Sequence, residues 1–298
     1  HTFYKKEATA QQPATSKEEG NLVAFSGPDF KATFDKQSGL LTSYLYKKHE
    51  YILNGQGPRP FFWRAPTDND YGANLPVRLK AWKEASYQDP TSESFQVTPG
   101  SNATTVKVTY RFPQTEARWN ITYKIYASGV IKVDNRFMAE GDQAPMIPRV
   151  GLRMQLPESF TDLTYYGRGP KENYRDRTDI YWCALTDKTQ RGLLLIADRT
   201  FELNASNYPL ESMDSGDTID NGAPRTEKTH HRHLTDPLPE KMVDLFIDYR
   251  MMGVGGDDSW GATAHEPYLI RPGKENAIEY GFSLVPFDKK EDYKYLIQ

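Results

Sequence analysis

At 298 residues the chain can bury a full-sized core, as one large domain or two ordinary ones. Its 37 basic and 40 acidic residues leave a net charge of -3, without the basic surplus that would gather nucleic-acid phosphates. No apolar run reaches the ~18 residues of a bilayer span, and the lone Cys183 excludes an internal disulfide and a thiolate-built zinc site.

The chain starts at His1 with no signal-type apolar region, as expected of a segment cut or processed from a longer polypeptide. Residues 5–20, KKEATAQQPATSKEEG, are polar and without apolar period, too poor in apolar surface to offset their ordering entropy. They read as a linker, which divides the chain into an upstream remnant over 1–20 and one domain over 21–298.

From residue 21 the pattern is β. KQSG at 36–39 and NGQG at 54–57 are turns. RAPTDNDYGANL, 64–75, places Asp68 and Asp70 two apart around Asn69, a spacing that could ligate a hard cation. An EF-hand loop counted from Asp68 would need glutamate at position twelve, which is Leu79, so the stretch reads as an Asx-rich turn capping a helix. That helix is LPVRLKAWKEAS, 75–86, with proline near its start.

Apolar residues then alternate with polar ones at Val106, Val108, Tyr110 and Phe112, and at Trp119, Ile121, Tyr123 and Ile125. The same period recurs at Val243, Leu245, Ile247 and Tyr249, and at Ile278, Tyr280, Phe282 and Leu284, as in strands with one buried face. ASG at 127–129, DNGAP at 220–224 and RPG at 271–273 are further turns. With no fixed-period repeat and no strand–helix alternation, many short antiparallel strands imply an all-β fold, a large antiparallel sandwich. The aromatic content of 13%, with 19 tyrosines, suits pleated packing and would equally supply platforms for sugar faces.

Three further stretches are candidates for chemistry. YYGRGPKENYRDR, 165–177, is a shaped loop in which Arg168, Lys171, Glu172, Arg175, Asp176 and Arg177 either meet substrate hydroxyls or hold the loop by ion pairs. In THHRHL, 229–234, His231 and His233 would share a strand face, but no third metal ligand stands nearby, so they read as partly buried histidines. No metal site is expected in this chain.

The third is MGVGGDDSWGA, 252–262. A phosphate cradle would not follow its glycines with Asp257 and Asp258, and adjacent residues on extended chain face apart, which spoils them as a glycosidase acid–base pair. What remains is a bend permitted by Gly255 and Gly256, with Asp257 and Asp258 satisfying backbone donors and Ser259 leading to a projected Trp260.

DKQSGLL, RAPTDNDYG, YYGRGPKENYRDR, HHRHL and MGVGGDDSW occur here in one order. From about residue 20 onward the chain resembles the C-terminal domain (domain 5, the small-chain domain) of glycoside hydrolase family 2 β-galactosidases of the lactose-operon type. The resemblance implies a large β-supersandwich, galactose mutarotase-like, within a retaining enzyme that hydrolyses terminal β-D-galactosides such as lactose. It implies a partner, either a catalytic TIM-barrel domain or a large subunit, that carries the catalytic glutamates and the family's Mg2+ and Na+, so no catalytic residue and no cofactor fall in this chain. It further implies a homo-oligomeric parent enzyme in a bacterial cytoplasm or periplasm. Trp260, after GGDDS, is by resemblance part of the platform for the acceptor or aglycone sugar, supported by Gly255, Gly256, Asp257, Asp258 and Ser259. His265 and Glu266 acquire no role. A free-standing aldose 1-epimerase and a non-catalytic carbohydrate-binding module are the alternatives; the first would need a histidine and a carboxylate converging on one sugar.

Overall fold

The computed structural model describes residues 12–139, 146–168, 177–214, 237–258, 261–271, 273 and 276–289. Strands β1 (Thr15–Glu19), β2 (Leu22–Ser26), β3 (Phe30–Asp35), β4 (Leu41–Tyr46) and β5 (His49–Glu50) form an antiparallel five-stranded sheet in chain order. After β6 (Arg59–Phe61) come three short helices, α1 (Asp68–Gly72), α2 (Leu75–Arg78) and α3 (Lys80–Tyr87). Four strands follow: β7 (Ser92–Thr98), β8 (Thr104–Phe112), β9 (Ala117–Ile125) and β10 (Ile131–Ala139). The remainder are β11 (Arg149–Pro157), β12 (Asp162–Tyr166), β13 (Arg177–Thr186), β14 (Gly192–Ser206), β15 (Met242–Met251) and β16 (Ile278–Phe287).

The second sheet has eleven strands, in the order β6-β11-β15-β14-β16-β10-β9-β8-β7, with β13 and then β12 branching from β14. β14 makes this possible by changing neighbours along its length: 192–197 pair with β16, and 202–206 pair with β15. The two antiparallel sheets form the expected all-β supersandwich.

The alternation read from the sequence is what joins the layers. Val106, Val108, Tyr110 and Phe112 on β8, and Trp119, Ile121, Tyr123 and Ile125 on β9, are all buried. Phe34 of β3 meets Tyr123 edge-on at 5.0 Å between ring centres, so the small sheet closes over this part of the large one. Phe62, just past β6, packs against Phe112 at 4.9 Å and Trp119 at 5.4 Å, which ties the helical segment to the same core. Each such side chain contributes ~1.5–3 kcal/mol by leaving water.

Three local expectations are corrected. Thr15–Glu19, within the stretch read as a linker, is strand β1, because its backbone pairs with β2 although all five side chains stay exposed. The helix over 75–86 is two helices, interrupted at Leu79, whose backbone leaves the helical region (φ -110, ψ 16) while its side chain is buried. Finally, β15 is not buried on one face alone. Asp244 and Asp248, at its polar positions, are buried because Arg153 and Arg149 of β11 reach them at 2.7 and 3.3 Å. The turn at 36–39 forms as read: the Asp35 carboxylate accepts from the backbone N–H groups of Gln37 and Ser38, and Gly39 takes φ +74.

Candidate functional site

Residues 252–265 leave the end of β15 and are met by the segment that follows β6. Arg64 is buried and forms an ion pair with Asp70 at 2.8 Å. Asp70 accepts from the Thr67 N–H at 3.0 Å while the Thr67 hydroxyl accepts from the Asp70 N–H at 3.2 Å, a capping box that opens α1. The acidic cluster at 68–70 is thus the start of a helix of its own and not a turn capping the helix read at 75–86, whose N-cap Asn74 makes no side-chain cap bond; Asp70 is committed to an arginine. Among the described residues no three His, Cys, Asp or Glu side chains converge as a metal site would require.

From this braced position Arg64 donates to the carbonyls of Met252 at 2.5 Å and Gly253 at 3.3 Å, and the Asn69 amide donates to the Gly255 carbonyl. Beneath, Arg149 donates to the Trp63 carbonyl at 3.4 Å and lies over the Phe246 ring at 4.2 Å. RAPTDNDYG and MGVGGDD, far apart in sequence, are one structural unit.

Gly255 is required by close approach: a Cβ there would lie 1.8 Å from the Ala262 carbonyl oxygen. Gly256 faces open space, and neither residue takes a positive φ, so the bend depends on contact distance at Gly255 and on nothing comparable at Gly256. Asp258 accepts from the N–H groups of Gly261 and Ala262, each at 2.8 Å, as a carboxylate satisfying backbone donors should. Asp257 instead binds the imidazole of His265, and that hydrogen bond raises the His265 pKa above its ordinary value. His265, without an assigned role in the sequence reading, is therefore part of this loop. Glu266 is held below the usual carboxylate range by its hydrogen bonds to Arg271. Ser259 and Trp260 lie outside the described residues.

The other candidates divide similarly. At the described ends of the 165–177 loop, Arg168 pairs with Asp179 at 3.2 Å and Arg177 lies over the Tyr165 ring at 5.1 Å. Lys171, Glu172, Arg175 and Asp176, the turn at 220–224, and His231 and His233 lie outside the described residues. The sequence reading missed the network behind the site. Arg153 forks onto Asp244 at 2.7 and 2.8 Å and onto Glu211 at 2.6 and 2.8 Å. Burial raises the Asp244 carboxyl despite Arg153; burial is also the largest influence on Glu211, but there the hydrogen bonds and the positive charge of Arg153 together with smaller contributions outweigh it and lower the carboxyl. No local spacing announces pairs 91 residues apart.

A family profile described as beta galactosidase small chain matches residues 26–179 and 176–284. The chain belongs to that family. Relatives include a β-galactosidase of Priestia megaterium, 30% identical over 291 residues that cover 88% of this chain and 26% of that protein. A β-galactosidase of Halalkalibacterium halodurans is 29% identical over 283 residues, 88% of this chain and 27% of its own length. The chain therefore spans about a quarter of the length of these relatives. Among solved structures, a TPR-domain containing protein from Parabacteroides distasonis superposes over 90% of this chain and 47% of its own at TM-score 0.52 and 12% identity, a likeness of fold alone. Galactose 1-epimerase from Lactobacillus acidophilus covers 93% of this chain and 98% of its own at TM-score 0.47 and 8% identity.

Proposed function

We propose that this chain is the small-chain domain of a retaining glycoside hydrolase family 2 β-galactosidase of the lactose-operon type, inactive alone, that completes the active-site wall and holds the acceptor or aglycone sugar on Trp260. The observation that carries the reading is the small-chain match across 26–284 in a chain a quarter the length of β-galactosidases. The chemistry then belongs to a barrel domain or large subunit, with its Mg2+ and Na+, in a homo-oligomeric parent.

The loop supports that division of labour. Asp257 and Asp258 are engaged with His265 and with backbone N–H groups, so neither is free to act as a glycosidase acid or nucleophile. Val254 and Tyr268 are exposed apolar side chains beside the loop, surface that a covering domain would bury. An indole presented there would contribute apolar area and a ring face to a sugar. The test is made in the complete enzyme: Trp260→Ala lowers the ratio of galactosyl transfer to glucose over hydrolysis by water. An unchanged ratio in a folded, assembled variant would remove Trp260 as the acceptor platform.

A further inference from the structure

The eleven-stranded sheet ends in β6 on one side and β7 on the other, and the packing of Phe62 on Phe112 draws those ends together. Between them lies a cavity of about 180 Å³, walled by β6, by β8 and by the chain that leads from α3 into β7. It has room for on the order of ten waters, or for a small solute of several heavy atoms.

Arg59 of β6 lines this cavity. Its Nη2 donates to the carbonyls of Ser86 at 2.8 Å and Gln88 at 2.6 Å, at the end of α3, while its Nε is buried without a hydrogen-bond partner. Arginines buried elsewhere in the domain hold carboxylates: Arg64 has Asp70, Arg149 has Asp248 and Arg153 has Asp244. Among the described residues Arg59 has no carboxylate within ion-pair distance. Burial pushes its pKa down, and Arg153, opposite it in register, pushes the same way; Asp89, on the same lining, counters them only in part. Tyr110 of β8 also lines the cavity and has a buried hydroxyl without a partner, which burial keeps protonated and able to donate. Arg111, which reaches Glu93 at 3.7 Å, adds a second guanidinium to the lining. The unmet groups can donate and the unmet charge is positive, a combination that calls for acceptor oxygens bearing negative charge.

We propose that the cavity between the two ends of the large sheet binds a small oxyanion, a carboxylate or phosphate group, on the Arg59 guanidinium. The ligand supplies the counter-charge that Arg59 lacks within the fold. Asp89, a like charge on the same lining, holds the affinity down.

The experiment titrates the 298-residue chain with inorganic phosphate and with acetate by calorimetry, at constant ionic strength balanced with chloride. One saturable site per chain is expected for at least one of the two anions, and the one bound more tightly identifies the source of the oxyanion. Arg59→Lys keeps the charge but loses the Nε donor and should bind roughly tenfold more weakly. Arg59→Gln should not bind measurably. Because Arg59 also holds the end of α3, circular dichroism first verifies that both variants fold. Asp89→Asn changes an exposed side chain and should bind about tenfold more tightly, a gain that a merely structural role for Arg59 would not produce. Absence of saturable binding of either anion by the unaltered chain would overturn the proposal. So would binding that survives in Arg59→Gln, since the anion would then sit elsewhere, or an affinity that Asp89→Asn leaves unchanged or lowers.

Discussion

The side-chain amide of Asn69 donates to the backbone carbonyl of Gly255, 186 residues further along the chain. Around it the buried Arg64, paired with Asp70, donates to the carbonyls of Met252 and Gly253, so the entrance of the 252–265 loop and the cap of α1 stand or fall together.

Arg64→Ala should therefore be severely destabilising. It leaves Asp70 buried without its counter-charge and frees two backbone acceptors, a loss of the order of 3–5 kcal/mol. Chemical denaturation of the domain reads this directly; a loss below ~1 kcal/mol would mean that the pair is better solvated than its burial indicates.

Adjacent glycines should respond oppositely. Gly255→Ala drives a methyl into the Ala262 carbonyl, whereas Gly256→Ala meets nothing within 4 Å. The first should cost ~1–3 kcal/mol and the second stay within ~0.5 kcal/mol. Equal effects at the two positions would contradict the packing of this loop.

His265 should titrate above the ordinary imidazole value of 6.5, because its hydrogen bond to Asp257 favours the protonated ring. A raised folded-state pKa means the contact is fully present below the ordinary value and is lost as pH rises through the raised one. Asp257→Asn should return the imidazole, followed by NMR, towards its ordinary pKa. An unmoved titration would show that the pair does not persist in solution.

The isolated chain should hydrolyse no chromogenic β-galactoside above the uncatalysed rate, since no carboxylate pair of glycosidase geometry is proposed within it. Nor should it accelerate the equilibration of α-galactose. Turnover abolished by substitutions inside the chain would overturn the accessory reading, and accelerated equilibration would favour the epimerase.

In the complete enzyme, Trp260→Ala should weaken acceptor binding by ~1.5–3 kcal/mol, the apolar contact of a large ring. That is roughly ten- to hundredfold. Kinetics at varied glucose concentration would show it as a raised acceptor KM.

What the residues alone determined about this protein is mostly short-ranged. The period of two in β8 and β9 and the turn at 36–39 are each legible because the groups that interact lie within a few residues of one another. The five ordered motifs carried the family resemblance, although Trp260 itself stands outside the described structure. Tertiary structure decided the rest. A polar TSKEE stretch became β1 because an edge strand needs only a backbone partner, and the charges of β15 could be buried because β11 supplies arginines from far away in sequence. It also decided what the glycine-rich motif requires: not a left-handed bend but room at Gly255 for the Ala262 backbone, with Asn69 holding the other side. Such requirements are set by atoms that meet only once the chain has folded, and no local period or spacing encodes them.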